Sequence, residues 1–244
     1  KPRRIICGVY MGDDFENAYF ITYGLDHWAY LRELPVPKNI EFVTGQSSKD
    51  QRWQGGIPRW FSHHSILYRL VFRDSFSESL PPFYDGTELV VPEKNIHEAF
   101  VPRGLLRRLD QQNTSVREGM RISFKLLDEM SRICRTNNIK FAVTVIPTKE
   151  MVFADFLEHN GNLPVASTEV IDKLLANERI AREKLFSFLG ASGIQVIDVL
   201  PALKRAREEG IYVRSETDMH PNNKGYKVIA ETVAASLQSD SVRP

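Results

Sequence analysis

The chain has 244 residues, of which 42% are hydrophobic and 26% charged, and its formal net charge is +1. That composition fills one substantial core and excludes an intrinsically disordered chain, and the length allows one large domain or one domain with an insertion. A near-neutral balance excludes a strong electrostatic pull towards nucleic acid or an anionic membrane, and no apolar run reaches the length of a transmembrane helix.

Residues 5–11, Ile-Ile-Cys-Gly-Val-Tyr-Met, are a short apolar, β-rich run and predict a buried strand. It leads into Gly12, Asp13, Asp14, Phe15, Glu16 and Asn17, read as an acidic loop at the strand's carboxyl end. Residues 18–114 then break the regular pattern. They are rich in Pro, Gly and aromatics, among them Trp28, Trp53, Trp60, Phe83 and Tyr84. A short helix is expected at 59–73 and a strand at 88–91. Such length without strong periodicity predicts an insertion or lid rather than a separate domain. The aromatics either form the insertion's own small core or stack on sugar rings. His63 and His64 have no third ligand in view and read as structural.

Regular α/β signals resume further on. Val116, Met120, Phe124, Leu127, Met130 and Ile133 recur at helical spacing over 115–137, with Asn137 and Asn138 as a stop signal. Residues 139–146 are the clearest strand. A second long helix is expected over 168–190, ending near Gly190, a strand over 194–199, a short helix over 200–209 and a last helix over 224–237. Strands separated by helices predict a parallel sheet covered on both faces, with ligands at the carboxyl ends of the strands. Cys7 and Cys134 fall in a strand and a helix and read as buried thiols, not as a disulfide or a metal site.

The most informative string is 217–226, Thr-Asp-Met-His-Pro-Asn-Asn-Lys-Gly-Tyr. In an extended segment residues i and i+2 project to one side, so Asp218 can reach the His220 imidazole, fix its tautomer and stabilise its protonated form. Pro221 and Asn222 supply helix-start chemistry, and Gly225 allows a close approach of the helix to its neighbours. The other reading of the string is a capped surface turn with an incidental histidine.

At these residues the chain resembles the SGNH (GDSL-type) hydrolase superfamily, whose last sequence block carries the catalytic Asp and His. The usual Asp-x-x-His-Pro would put the acid at Thr217. The Asp-x-His spacing found here is similar to that of long bacterial SGNH proteins and the related alginate-type polysaccharide O-acetyltransferases. The Gly12-Asp13-Asp14 loop resembles the family's Gly-x-Asn-Asp block, whose Asn donates to the oxyanion hole; here that position is Asp13, and an ionised carboxylate donates nothing. Pro147-Thr148-Lys149-Glu150 is similar to a Pro-x-Lys-Glu that follows a strand in the same relatives. The likeness is specific at 9–17, 139–150 and 194–226. The family's Gly-Asp-Ser block has no counterpart, so the chain is expected to be the carboxyl-terminal part of a longer protein.

The resemblance implies a three-layer, flavodoxin-like α/β fold with a parallel sheet, incomplete at the amino terminus. It implies one partial SGNH-hydrolase-like domain over 1–244, with 18–114 as the insertion or lid. It implies an ester hydrolase or acyl (acetyl) transferase acting on a carbohydrate or lipid ester, small or polymeric, with no cofactor, no metal and no nucleic-acid partner. The serine would lie outside this chain, His220 would be the base and Asp218 its orienting acid. Gly12, Asp13 and Asp14 would form the oxyanion loop, and Lys149 and Asn17 would bind substrate. An extracytoplasmic location, periplasmic or anchored through a preceding segment, is favoured. Two other readings stay open: a non-catalytic glycan-binding or scaffolding relative, and a metal-dependent hydrolase built on Asp13, Asp14, Asp218 and His220.

Overall fold

In the computed structural model, residues 2–36, 87–91, 94, 96–158, 165–213 and 219–239 are described. Asp218, His63, His64, Trp53, Trp60, Phe83, Tyr84 and the helix expected at 59–73 lie outside them. The chain forms two units, one of Lys1–Tyr19 with Asp85–Pro244 and the other of Phe20–Tyr84.

The elements in chain order are β1 (Arg4–Tyr10), α1 (Asp14–Tyr23), β2 (Thr87–Val91), β3 (Ile96–Phe100), α2 (Pro102–Leu109), α3 (Thr114–Thr136) and β4 (Lys140–Ile146). Then follow α4 (Lys149–Val152), α5 (Ala154–Leu157), α6 (Val165–Ala191), β5 (Gln195–Asp198), α7 (Leu200–Ala206) and α8 (Asn223–Ser239). Strands β1, β4 and β5 make a three-stranded parallel sheet in the order β1-β4-β5, with Tyr10 beside Ile146 and Val145 beside Asp198. Strands β2 and β3 form a separate antiparallel pair.

Strand periodicity explains the layers. Alternate residues of a strand face opposite sides of a sheet. Val143 and Val145 of β4, with Val9 of β1, belong to one apolar core, which α1, α2, α3 and α6 complete through Phe15, Leu109, Met120 and Leu185. Ala142 of β4 and Ile197 of β5 belong to a second core, completed by β3, α4 and α5, α7 and α8 through Phe100, Phe153, Leu203 and Ile229. Helix α6 contributes to both, with Leu174 on one side and Leu175 on the other. The mixed α/β class with a parallel sheet covered on both faces is therefore the observed architecture. Among the described residues β1 pairs with β4 alone, and Ile6 on its second face is 40% exposed.

Local chemistry sets the element ends. The Asn113 side chain caps α3 by accepting from the Ser115 N–H at 3.1 Å, and α3 stops at Asn137, after which Asn138 takes a left-handed φ of 55°. The predicted helix over 200–209 ends in a 3-10 turn, Arg207–Glu209, closed by Gly210 at φ 66°. Asp14 starts a helix where the sequence predicts a loop. Strand β3 and helix α2 were not expected: Glu98 interrupts an apolar strand pattern, and α2 lies inside the irregular 18–114 stretch. Cys134 is buried as expected and Cys7 only half-buried; both are free thiols.

The second unit is described only in its first part. There the Arg32 guanidinium donates to the Thr22 carbonyl at 2.9 Å and pairs with Asp26, and the Tyr23 hydroxyl accepts the Leu34 N–H at 2.9 Å.

Candidate active site at the carboxyl end of the sheet

The carboxyl ends of β1 and β4 lie side by side, and the loops that leave them are tied together: the Met11 N–H donates to the Ile146 carbonyl at 2.9 Å. Beyond β1, Gly12 is buried beneath the Tyr10 ring, which a side chain at position 12 would meet at 2.5 Å. The Asp14 carboxylate turns back to accept the Tyr10 N–H at 2.8 Å. Burial pushes the Asp14 carboxyl up, that backbone N–H opposes it, and neighbouring Asp13 adds to the rise. Asp13 is half-buried, with the Arg108 Nη1 of α2 at 3.9 Å, and Arg108 Nε lies 3.4 Å from Glu16. Asn17 is exposed on α1 and holds the helix start through its N–H to the Asp13 carbonyl at 2.8 Å.

Beyond β4, Thr148 caps α4: its Oγ1 accepts the Met151 N–H at 3.2 Å. The Thr148 N–H donates to Glu178 Oε1 at 3.1 Å and its hydroxyl donates to the other Glu178 oxygen. Burial pushes the Glu178 carboxyl up, against the pull of those two hydrogen bonds and of Arg182 and Arg179. Lys149, expected to meet a substrate anion, is 0% exposed. Its ammonium lies 2.6 Å from Glu98 Oε2 and donates to the Val213 carbonyl at 3.4 Å, with the Phe100 and Tyr212 rings 5.4 and 5.5 Å away. Glu150 is also fully buried. One oxygen accepts the Val101 N–H at 3.3 Å, the other has no hydrogen-bond partner among the described residues, and burial pushes the carboxyl up to about 7.

The third component arrives from the chain's last turn. Val213 donates its N–H to the His220 carbonyl at 3.3 Å, Tyr212 and Pro221 form an antiparallel bridge, and the Asn222 N–H donates to the Ile211 carbonyl at 2.9 Å. The Asn222 side chain closes the turn twice over. Its amide donates to the Gly210 and Tyr212 carbonyls at 2.8 and 2.9 Å, and its oxygen accepts the Lys224 N–H at 2.9 Å at the start of α8. Gly225 is required here, because a Cβ would sit 2.4 Å from the Ile211 carbonyl oxygen. The result sets the exposed His220 imidazole against Tyr10, with ring centroids 6.0 Å apart and an interplanar angle of 35°.

Tyr10 is thus the meeting point. Burial first, then the Glu150, Asp13 and Glu178 carboxylates, pushes its phenol up, while Arg108 opposes the rise. The Tyr212 phenol is raised as well, chiefly by burial, and its hydroxyl has no hydrogen-bond partner among the described residues. Around this strand end stand an exposed imidazole beside the Tyr10 ring and an acidic loop with a guanidinium next to it. Among the described residues no group of three or more His, Cys, Asp or Glu converges as a metal site, and no helix is long and apolar enough to cross a membrane.

Sequence reasoning missed Tyr10, Glu98, Arg108, Glu178 and Tyr212. Glu178 had a legible signal, since it stands on the apolar stripe Ile171, Leu174, Leu175 and Leu185, where an acid must find a buried partner. Compared with known proteins, the chain matches no family model, no curated protein and no solved structure.

Proposed function

We propose that this chain carries the histidine side of an SGNH-type acyl-transfer site, acting on a carbohydrate or lipid ester. The observation that carries the reading is the exposed His220 imidazole against Tyr10, at the sheet end where the 12–14 loop begins. A serine nucleophile, expected outside these residues, attacks the ester carbonyl. His220 takes the hydroxyl proton and passes it to the alkoxide as the alcohol leaves, and Asp218 holds the imidazole in the required tautomer. Water or a second alcohol then reverses the sequence and releases the acid or the new ester. Arg108 beside Asp13 offsets the negative charge that Asp13 brings to the oxyanion loop.

In the full-length protein, His220→Ala is expected to lower hydrolysis of p-nitrophenyl acetate by about a hundredfold or more, with an unchanged thermal melt. Equal rates would remove the reading. The Asp13 carboxylate, standing where the family has an amide donor, favours a second reading, a non-catalytic glycan-binding relative. In that case an O-acetylated polysaccharide binds equally to the wild type and to His220→Ala, and neither turns over the ester. Activity abolished by EDTA selects metal-dependent chemistry instead.

A further inference from the structure

We infer that Lys149, paired with Glu98, is a positioning residue: a buried strut that ties the His220 turn to the end of β4. The inference rests on the proposed role of His220 as base; the anchoring itself does not. Lys149 follows Ile146 by three residues, and Ile146 stands beside Tyr10 across the sheet. Lys149 therefore begins its helix just beyond the strand end that lies beside Tyr10. From there the connection is continuous. The ammonium forms an ion pair with Glu98 Oε2 at 2.6 Å without hydrogen-bond geometry, donates to the Val213 carbonyl at 3.4 Å, and the Val213 N–H donates to the His220 carbonyl at 3.3 Å. The Tyr212 ring, 5.5 Å from the same ammonium, belongs to the residue that bridges to Pro221.

The chemistry of burial argues that this placement is specific. A lysine with no exposure is tolerated only where a carboxylate and further acceptors replace its water. Both replacements here come from remote segments, β3 and the 211–213 segment. A methionine would fill the same space without those demands. To the apolar packing of Tyr212 with Phe100 and Phe153, the ion pair adds a charged link between the His220 turn, the end of β4 and β3.

The test replaces both charges at once, Lys149→Met with Glu98→Gln, so that neither member of the pair is left as an unpaired charge. Three readouts apply: amide hydrogen exchange at Val213, the proton contact between the His220 and Tyr10 rings by NMR, and kinetics on p-nitrophenyl acetate in the full-length protein. The expected result is Val213 exchange about tenfold faster with Val145 in β4 unchanged, a weakened ring contact, and a kcat about tenfold lower at constant KM. A folded double variant with unchanged Val213 exchange and ring contact overturns the inference, as does a loosened Val213 with unchanged kcat. Should the double variant not fold, the unaltered protein still decides. The Lys149 ammonium protons must exchange slowly enough to be seen and must show contacts to Val213; an ammonium in fast exchange with water overturns the strut. If His220→Ala leaves esterase activity untouched, the functional reading fails, while Val213 exchange and the ring contact still decide the anchoring.

Discussion

Replacing Glu150 by Gln should stabilise the protein, and by an amount that grows with pH. Glu150 is fully enclosed, accepts the Val101 N–H through one oxygen and leaves the other without a hydrogen-bond partner among the described residues. Burial raises its carboxyl from an ordinary 4.5 to about 7, against the backbone N–H groups of Glu150 itself and Val101. In the unfolded chain the group titrates at its ordinary value. Between those two pH values the folded protein keeps a proton that the unfolded chain has released, so stability falls as pH rises through that window. The loss is complete above the folded value and absent well below the unfolded one. At about 1.4 kcal/mol per pH unit, the interval from 4.5 to about 7 corresponds to about 3 kcal/mol.

Glutamine keeps the acceptor for Val101 and never ionises, and it also removes the repulsion between Glu150 and Glu178, so the difference reports Glu150 together with that pair. Urea unfolding should show nearly equal stabilities at about pH 4.5, and a variant more stable by about 2 to 3 kcal/mol at about pH 8. A difference independent of pH, or a variant less stable at the higher pH, would refute the reasoning. It would mean that the carboxylate is solvated or paired in the folded protein.

Gly225→Ala places a Cβ 2.4 Å from the Ile211 carbonyl oxygen and is expected to cost about 1 to 3 kcal/mol by thermal melting. An unchanged melting temperature would show that α8 can move off the turn freely. Asn222→Ala removes the α8 cap and both side-chain donors to the 210–212 carbonyls, and should lower stability by about 1 to 2 kcal/mol, read as a lower urea midpoint at constant m value. Asp13→Asn should raise p-nitrophenyl acetate turnover in the full-length protein, because an amide donates where a carboxylate cannot. No change would mean that the missing donor does not limit the rate.

Much of the fold was legible because it depends on short-range rules. The apolar stripe from Val116 to Ile133 needs only its own helix to be read, and Asn137 and Asn138 mark the stop because Asn tolerates the left-handed geometry found at position 138. The run at 139–146 reads as a strand because β4 lies between both cores, so both of its faces are apolar. The close approach at Gly225 was legible for a similar reason: a glycine just inside a capped helix start has few other uses. Strand β3 was not, because Glu98 breaks its apolar pattern, nor was α2, which lies inside the irregular 18–114 stretch.

The partners of the charges were decided at longer range. Lys149 stands next to Glu150 in sequence, yet its ammonium pairs with Glu98, since consecutive residues at a helix start project in different directions. Asp13 meets Arg108 and Thr148 meets Glu178 only because α2 and α6 pack against the sheet end. Periodicity is a property of neighbouring residues and survives in the bare sequence. The cost of desolvating a charge is offset by whichever group packing brings within a few ångströms, and that choice exists only once remote segments have met.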